Sequence, residues 1–473
     1  MRYLISIFCA LLIGTPAVAI AETTVSMPKT RAVTGDFDDM IKRRIIRILV
    51  VPNKTYFFLH KGESFGLTAE VGREFEKWIN KRHANGPYKI NVALVPTKRE
   101  TILQDLREGK GDIAAANLTV TGERSALVDF AQPWLKDVKE ILVTGPSAPS
   151  IATISDLAGR DLTVRKSSSY YTHLVALNER LRKEQKKEIK IIAADENLED
   201  EDLLEMVSAG LLPWVVVDAH TAKLWSRILK GIALRNDLVV NEGGEIAWAI
   251  RKNSPLMQGE LNEFISTKRK FANDLISYYI ADGKPVRNAL APDQAKKFEE
   301  LVGYFRKYGE QYKIDPYMLA AQGYQESAFN QQLRMKSGAV GVMQMMPQTA
   351  REHLGMNDIV TRAEDNIHSA AKYLRYLVET YLNDPAITER EKVLMVLASY
   401  NAGPGNLKKF REKARQDGFD PNVWFGNVEY GAAAIVGQET VQYIGNIYKY
   451  YYVYSTILSR QAETANATPK DKE

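Results

Sequence analysis

The pattern of strand-like and helix-like segments changes once along this 473-residue chain. From Ile45 to about Gly283, short apolar runs of strand type alternate with segments of helical periodicity. Beyond that point the strand pattern stops and helical periodicity alone continues. Alternation is typical of an α/β fold, and helical periodicity alone of an all-α fold. We therefore predict an α/β domain over 40–285, a linker over 286–297, an all-α domain over 298–460 and a flexible tail over 461–473.

Within the first domain, the apolar runs "RIIRILVVPN", "YKINVALVP" and "DIAAANLTV" indicate strands, and helical segments separate them. The first run shows no alternation, as expected for a strand buried on both faces. The βαβαβ order predicts a mostly parallel sheet. A second unit of the same class follows, from "RDLTVRKSSSY" to "PWVVVDAH".

The N-terminus "MRYLISIFCALLIGTPAVAIAETT" has one early Arg, an apolar run and small residues before a polar stretch. This layout predicts a secretory signal peptide over residues 1–21, cleaved after Ala19 or Ala21. The apolar run is too short for a comfortable membrane span. Cys9 is the only cysteine, so the mature chain has none. We expect an exported periplasmic protein, and the sequence leaves peripheral association with the outer membrane open.

The composition is ordinary for a globular protein, with 45% hydrophobic and 26% charged residues. The net charge of +5 arises from 63 basic and 58 acidic residues, without a concentrated basic patch, so we expect no nucleic-acid partner. None of the six His residues has the spacing of metal ligands. We predict no metal, no cofactor and a monomeric protein.

The segment "GKGDIAAANLTVTGERSALVDFAQPW" contains a strand, a T-x-T-x-E-R motif and a D-F-x-x-P-aromatic motif. It resembles periplasmic solute-binding proteins of the amino-acid type. "SDLAGRDLTVRKSSSYYTHL" and "PWVVVDAHTAKL" resemble later parts of the same family, in the same order. The resemblance implies a two-lobed α/β fold with a ligand cleft between its lobes.

The same resemblance implies that Arg124 clamps a ligand carboxylate and that Asp218 accepts a ligand ammonium. A guanidinium fits a carboxylate through two parallel hydrogen bonds. The expected ligand is an amino acid or a cell-wall peptide (muropeptide). Residues expected to supply further hydrogen bonds or stacking are Thr119, Thr121, Ser167 and Tyr56, with Phe57 as the alternative to Tyr56.

Other roles for these two charged residues stay open. Arg124 could pair with Glu123 or Asp129, and Asp218 could cap the helix that follows it. The sequence also departs from the family near "KGESFGLTAEV", where Glu70 replaces the usual Asp. The sequence therefore leaves the ligand unidentified.

In the second domain, "KIDPYMLAAQGYQESAF" begins with Asp315 and Pro316, which together are a strong helix-start signal. Glu326 lies about three turns later, near the predicted helix end. A loop follows, in which Gly338 and Gly341 allow the backbone to approach a ligand closely.

Four segments occur in order in this domain: Glu326-Ser327, "GAVGVMQMMP", "ASYNAGPG" and "ETVQY". They resemble the catalytic domain of soluble-type lytic transglycosylases, which has a lysozyme-like α fold. Two departures are mild, with Val342 in place of the usual Leu and Ser399 near the usual Ala. Together with the preceding solute-binding domain, the motifs resemble the membrane-bound lytic transglycosylase F group.

The resemblance implies cleavage of the β-1,4 bond from N-acetylmuramic acid to N-acetylglucosamine in peptidoglycan glycan strands. Glu326 would act first as acid and then as base, giving a 1,6-anhydro product. Such an acid must stay protonated, which a desolvating environment favours. Residues implied to contact the substrate are Ser327, Met343, Gln344, Tyr400, Asn401 and Tyr443.

The sequence leaves two alternative functions open. A hydrolase of goose-type lysozyme character would share the fold but consume water. A binding or sensing protein would carry a catalytically silent helical domain, which the presence of Glu326, Gln344 and Asn401 argues against.

Overall fold

The structure is a computed structural model. It describes residues 32–60, 63–84, 89–281, 291–356 and 358–467. The predicted signal peptide over 1–21, with Cys9 and both expected cleavage positions, lies outside the described residues.

A seven-stranded sheet organises the N-terminal half. Its strands are β1 (Ile45–Val50), β4 (Asn91–Pro96), β5 (Ile113–Thr119), β6 (Asp129–Phe130), β7 (Leu135–Thr144), β10 (Trp214–Asp218) and β11 (Ala233–Ile250). The order is β10-β7-β11-β5-β1-β4, with β6 paired to β11. Strands β4 and β5 run parallel to β1, whereas β11 runs antiparallel to β5, β6 and β7. The prediction of a mostly parallel sheet is correct for β1, β4 and β5 and wrong for the other four strands. The reason is that an apolar run in the sequence carries no information on the direction of its strand.

Helices pack against this sheet, and the strands and helices together form two lobes. They are α1 (Phe37–Arg43), α2 (Leu67–His83), α3 (Ile102–Arg107), α4 (Gly122–Leu127), α5 (Ser169–Lys183), α6 (Asp200–Ser208), α7 (Ala219–Trp225) and α8 (Pro255–Ala281). A hairpin of β2 (Phe58–His60) and β3 (Glu63–Phe65) belongs to the first lobe, and the parallel pair β8 (Asp161–Val164) and β9 (Lys190–Ala193) to the second. The first lobe has a core on each side of its sheet, and the second lobe has one separate core. The two-lobed α/β fold agrees with the prediction.

A buried ionic cluster stabilises the first lobe. Asp112, 1% exposed, accepts hydrogen bonds from the guanidinium groups of Arg43, Arg47 and Arg251. Burial alone would raise the pKa of Asp112, but the arginines, Arg47 above all, hold it below its ordinary value. This aspartate of the "GKGD" segment therefore has a structural role.

The C-terminal half is helical. Its helices are α9 (Pro292–Tyr312), α10 (Pro316–Ser327), α11 (Pro347–Leu354), α12 (Ala363–Tyr381), α13 (Glu389–Ala402), α14 (Leu407–Gln416), α15 (Glu429–Val436) and α16 (Gln438–Ala467). They enclose one apolar core. Helix α10 begins as predicted, because the Asp315 carboxylate accepts from the backbone N–H groups of Tyr317 and Met318. This half has the all-α fold that the sequence predicted.

Two predicted boundaries need correction. Helix α9 begins at Pro292, so the last part of the predicted linker over 286–297 is helical, and residues 282–290 lie outside the described ranges. Helix α16 continues to Ala467, into the predicted flexible tail over 461–473. The division into domains otherwise stays a prediction.

Helix α16 joins the two halves of the molecule. Val453 belongs to the apolar core of the second lobe, and Tyr452 packs against it. The Tyr448 hydroxyl donates to Asp195 of the same lobe at 2.9 Å. On the first lobe, the backbone N–H of Leu59 donates to the Gln442 side chain at 2.7 Å. One long helix of the C-terminal half therefore contacts both lobes.

Candidate functional site

Glu326 lies in the last turn of α10 and is half-buried. The helix ends immediately afterwards, since Ala328 and Phe329 have φ of 51° and 61°. Two successive non-glycine residues in the left-handed region cost free energy, and such strain tends to occur at functional sites. The abrupt end of the helix leaves the Glu326 side chain at the edge of the core.

Two tyrosines from distant helices lie next to Glu326. The Tyr443 hydroxyl, from α16, donates to Glu326 Oε1 at 2.6 Å. Burial and the nearby Glu326 raise the pKa of both Tyr443 and Tyr400 well above the ordinary value. Both phenols therefore stay protonated and act as donors at neutral pH. The Tyr400 hydroxyl is already committed, since it donates to the Met343 carbonyl at 2.8 Å.

The loop after α10 is held by the side chains that were expected to bind the substrate. Ser327 Oγ donates to the Val342 carbonyl at 2.8 Å, and Gln344 Nε2 donates to the Gly341 carbonyl at 2.7 Å. Gln344 itself has φ of 46°. Met343 is fully buried, so its side chain packs in the core and does not line an open groove. For Met343 the expected substrate contact is corrected, because the loop turns inward at this point.

Asn401 lies at the end of α13 and is exposed. Its Oδ1 accepts from the Thr440 hydroxyl at 2.8 Å. Asn401 thus contacts α16 three residues before Tyr443. Of the expected substrate residues, Asn401 and the half-buried Tyr400 have the most accessible side chains.

In the N-terminal half, Asp218 ends β10 and is 1% exposed. One carboxylate oxygen accepts from Asn117 Nδ2 at 3.0 Å, and the other has no hydrogen-bond partner among the residues that the structure describes. Burial, together with the charges of Asp200 and Glu140, raises the pKa of Asp218 to about 8. Its side chain makes no capping hydrogen bond to α7, so the alternative role as a helix cap does not apply.

The protein's own side chains fill the cleft beside Asp218. The Tyr56 hydroxyl from the first lobe donates to Asn117 Oδ1 at 2.9 Å and lies 3.3 Å from His220 Nε2 of the second lobe. Burial lowers the pKa of His220 to about 4, so this ring is neutral. Asn117 has φ of 52°, an unusual conformation within a strand. The lobes are therefore closed over a network of internal hydrogen bonds.

Arg124 has different surroundings. Its guanidinium donates to the Thr119 carbonyl at 2.8 Å and across the cleft to the Ser167 carbonyl at 2.9 Å. Thr121 caps α4 by accepting from the Arg124 N–H. Within the described part of the chain Arg124 forms no ion pair, and Asp129 is paired with Lys252 instead. Burial, with the nearby charge of Arg99, lowers the pKa of Arg124 to about 10.

A cavity of about 600 Å³ opens beside Arg124. Its walls include Arg99, Ile102, Leu118, Arg124 and Ser167. Tyr56 and Asp218 are not among the lining residues. The structure therefore separates the two predicted charge partners of the ligand: Arg124 faces open space, and Asp218 is enclosed.

Comparison with known families assigns both halves. Residues 303–423 match the family described as Transglycosylase SLT domain, and residues 46–271 match bacterial extracellular solute-binding proteins, family 3. The chain contains a domain of each family. Tyr443 and the rest of α16 lie beyond the matched part of the SLT domain.

Curated relatives match most of the chain, through both of these domains. A protein named membrane-bound lytic murein transglycosylase F from Desulfosudis oleivorans is 27% identical over 434 residues, which are 86% of this chain and 89% of that protein. One of the same name from Shewanella frigidimarina is 26% identical over 470 residues, covering 94% and 91%. Each of these matches thus extends over most of both proteins.

Among solved structures, an ancestral arginine-binding protein bound to arginine covers 50% of this chain and 99% of its own, with 19% identity and a TM-score of 0.41. The fold of the solute-binding domain stands on the family match and on its own sheet topology. In the parts of the chain that the structure describes, no helix is both long and apolar enough to span a membrane.

Two residues of these sites were missed by sequence reasoning. Asn117 organises the closed cleft, and a polar residue at the end of a strand was its only sequence signal. Gln322 is a fully buried amide one turn before Glu326 on α10. Its signal was a lone polar residue inside the apolar run "YMLAAQGY".

Proposed function

We propose that this protein is a peptidoglycan lytic transglycosylase and that Glu326 of its SLT domain is the catalytic acid and base. The observation that carries the proposal is the carboxyl group at the end of α10, half-buried, with Tyr443 donating to Oε1 at 2.6 Å. The relatives named lytic murein transglycosylase, which match both domains, support the same activity. No second carboxylate is needed for this chemistry.

The proposed reaction has two steps. Protonated Glu326 gives its proton to the glycosidic oxygen while the bond from C1 of N-acetylmuramic acid to that oxygen breaks, which frees the 4-hydroxyl of N-acetylglucosamine. The Glu326 carboxylate then takes the proton of the 6-hydroxyl while O6 bonds to C1. Glu326 ends protonated, no water is consumed, and the product carries a 1,6-anhydro ring. Tyr443, as donor, stabilises the carboxylate between the two steps.

Digestion of purified sacculi followed by mass spectrometry tests this proposal. The anhydro product lacks one water relative to the product of a hydrolase of goose-type lysozyme character. Anhydromuropeptides as the main product support the proposal, and products with reducing ends would replace it with the hydrolase. An absence of any product would favour a silent binding or sensing protein.

We infer that the solute-binding domain takes a ligand with a carboxylate, such as an amino acid or a cell-wall peptide. Arg124 supports this inference, because its half-buried guanidinium has no acidic partner among the described residues and faces a cavity of about 600 Å³. A carboxylate there would neutralise this partly buried cation. For Asp218 to bind an ammonium as well, the Asn117 amide would have to move away.

We also propose that the ligand regulates the SLT domain. Lys54 of the first lobe and Lys449 of α16 both pair with Asp202 of the second lobe, at 3.0 and 3.2 Å. Opening of the lobes would therefore disturb the helix that carries Tyr443. The alternative is that the first domain only tethers the enzyme to stem peptides. Rates of the full chain on glycan lacking peptides, with and without ligand, distinguish the two, since tethering predicts equal rates.

A further inference from the structure

Gln322 is an unusual residue for its position. Its side chain is 0% exposed in the apolar core of the helical half, and among the described residues neither its amide nitrogen nor its amide oxygen makes a hydrogen bond of good geometry. Burying an amide without partners costs free energy, and buried polar groups in native proteins are nearly always satisfied. An apolar side chain of similar volume would fill the same space without that cost. The amide therefore needs an explanation.

The position of Gln322 relative to the proposed acid suggests one. Residues four apart on a helix share a face, so Gln322 lies one turn below Glu326 on α10. Helix α16 packs against α10 and brings Tyr443 to the same face, where its hydroxyl donates to Glu326. Gln322 acts on this phenol: it lowers the pKa of Tyr443, against the larger opposite effects of burial and of Glu326. A neighbour that lowers the pKa of a phenol presents its N–H side to the phenol oxygen.

We propose that Gln322 is a positioning residue that fixes the Tyr443 hydroxyl as a donor to Glu326. The inference rests on the proposed function. A phenol has one hydrogen and can also accept. When Gln322 Nε2 donates to the Tyr443 oxygen, the phenol hydrogen is directed to Glu326 Oε1. Tyr443 then stabilises the carboxylate that exists after the first proton transfer, until this carboxylate takes the proton of the 6-hydroxyl.

The variant Gln322→Met tests this role, because Met has a similar volume and no amide. The fold should nearly keep its melting temperature, because the Met side chain fills the same buried space and the one weak hydrogen bond of the amide is its only loss. Without the fixed donor, the carboxylate of Glu326 is less stabilised and Glu326 keeps its proton to higher pH. We expect the basic limb of the pH profile of kcat/KM to move up by about half a unit to one unit, and kcat to fall by roughly tenfold, part of the 10²–10⁴-fold that acid–base catalysis contributes.

A double-mutant cycle with Tyr443→Phe separates positioning from packing. In the Tyr443→Phe background, Gln322→Met should change neither kcat nor the pH profile further, because the hydroxyl it positions is gone. An equal loss in both backgrounds, or an unshifted pH profile for Gln322→Met alone, would overturn the inference. The same sacculi assay on the wild-type protein and on Glu326→Gln checks the proposed function separately. If wild type forms anhydro products and Glu326→Gln does not, a failure of the Gln322 result concerns Gln322 alone.

Discussion

Glu326 and Asp218 each end an element of secondary structure, Glu326 in the last turn of α10 and Asp218 at the last position of β10. Their surroundings differ. Glu326 is half-buried and has a tyrosine donor from another helix. Asp218 is 1% exposed, and a network from both lobes encloses it. The SLT domain leaves its carboxyl group partly exposed, whereas the solute-binding domain closes over its own.

This difference indicates where the molecule must move. Under the proposed function a glycan strand binds at Glu326, whose side chain is already partly exposed. A ligand that uses Asp218 has to displace Asn117 first. Its apparent affinity is therefore reduced in proportion to the fraction of molecules in which the cleft is open. Under the proposed function the enclosed site would therefore sense a ligand, and the accessible site would cleave the polymer.

The largest expected effect is at Glu326. Glu326→Gln is nearly isosteric but cannot deliver a proton, so release of anhydromuropeptides should fall by about 10²–10⁴-fold, with an unchanged melting temperature. Glu439→Gln is the matched control, because Glu439 is exposed on α16 one turn before Tyr443. It should retain nearly full activity. Substantial activity in Glu326→Gln would show that another group supplies the proton.

The accessible site was also the easier one to predict from sequence. Asp315 and Pro316 set the start of α10, and twelve residues of helix then bring Glu326 to its end. These are local signals, and the structure has them as predicted. The contact of Tyr443 with Glu326 was expected only through the family resemblance, since 117 positions separate the two residues.

What sequence reasoning missed depends on packing between remote segments. Met343 was expected in a groove, but the loop turns inward at Gln344, whose positive φ no local pattern signalled. Asn117 and Gln322 acquire their surroundings only when other elements pack on them. The direction of β11 relative to β5 was missed for the same reason, because the sequence of one strand does not determine whether its neighbour runs parallel or antiparallel to it.

The second prediction concerns the open side of the cleft. If Arg124 binds a carboxylate, an amino acid or stem peptide at one hundred times its Kd should stabilise the protein by about 2.7 kcal/mol. Arg124→Met should abolish this stabilisation, as measured by thermal shift. Arg269→Met is the matched control, because Arg269 also donates to two backbone carbonyls, those of Pro133 and Trp134, away from the cavity. A thermal shift that survives in Arg124→Met would exclude the carboxylate role.

The third prediction tests the enclosed side of the cleft through pH. The pKa of Asp218 is raised from 3.8 to about 8 in the folded protein, so the folded state holds this proton more tightly than the unfolded state. The contribution of this proton to the free energy of unfolding is fully present below about pH 4. It is lost as the pH rises toward 8, by up to about 1.4 kcal/mol per pH unit. Asp218→Asn has no such proton, and its melting temperature should decline less than that of wild type between pH 5 and 8.

Asp112 is the control for that measurement, since it is equally buried but has a lowered pKa. The Asp112 carboxylate contributes to the stability of the folded state above the ordinary pKa of an aspartate, and this contribution is lost only as the pH falls below that value. Asp112→Asn should therefore lower stability at every pH above about 4 and leave the decline between pH 5 and 8 as in wild type. If Asp218→Asn showed the same decline as wild type, Asp218 would be ionised in the closed cleft.

The smallest expected effect lies between the two sites, at Lys449. This lysine pairs with Asp202 at 3.2 Å on the helix that also carries Tyr443, and Lys54 pairs with the same carboxylate from the other lobe. A ligand that changes the arrangement of the two lobes would alter these contacts of Asp202. A tenfold change in activity would require only about 1.4 kcal/mol of coupling free energy between the two sites. Lys449→Met should keep the basal rate within about twofold and reduce a ligand response of up to about tenfold toward none.

Lys392→Met is the control for Lys449→Met. The Lys392 side chain is as exposed as that of Lys449, at 12%, but it pairs with Glu389 inside the SLT domain. A full ligand response in Lys449→Met would mean that the signal reaches Tyr443 by another contact, such as that of Leu59 with Gln442.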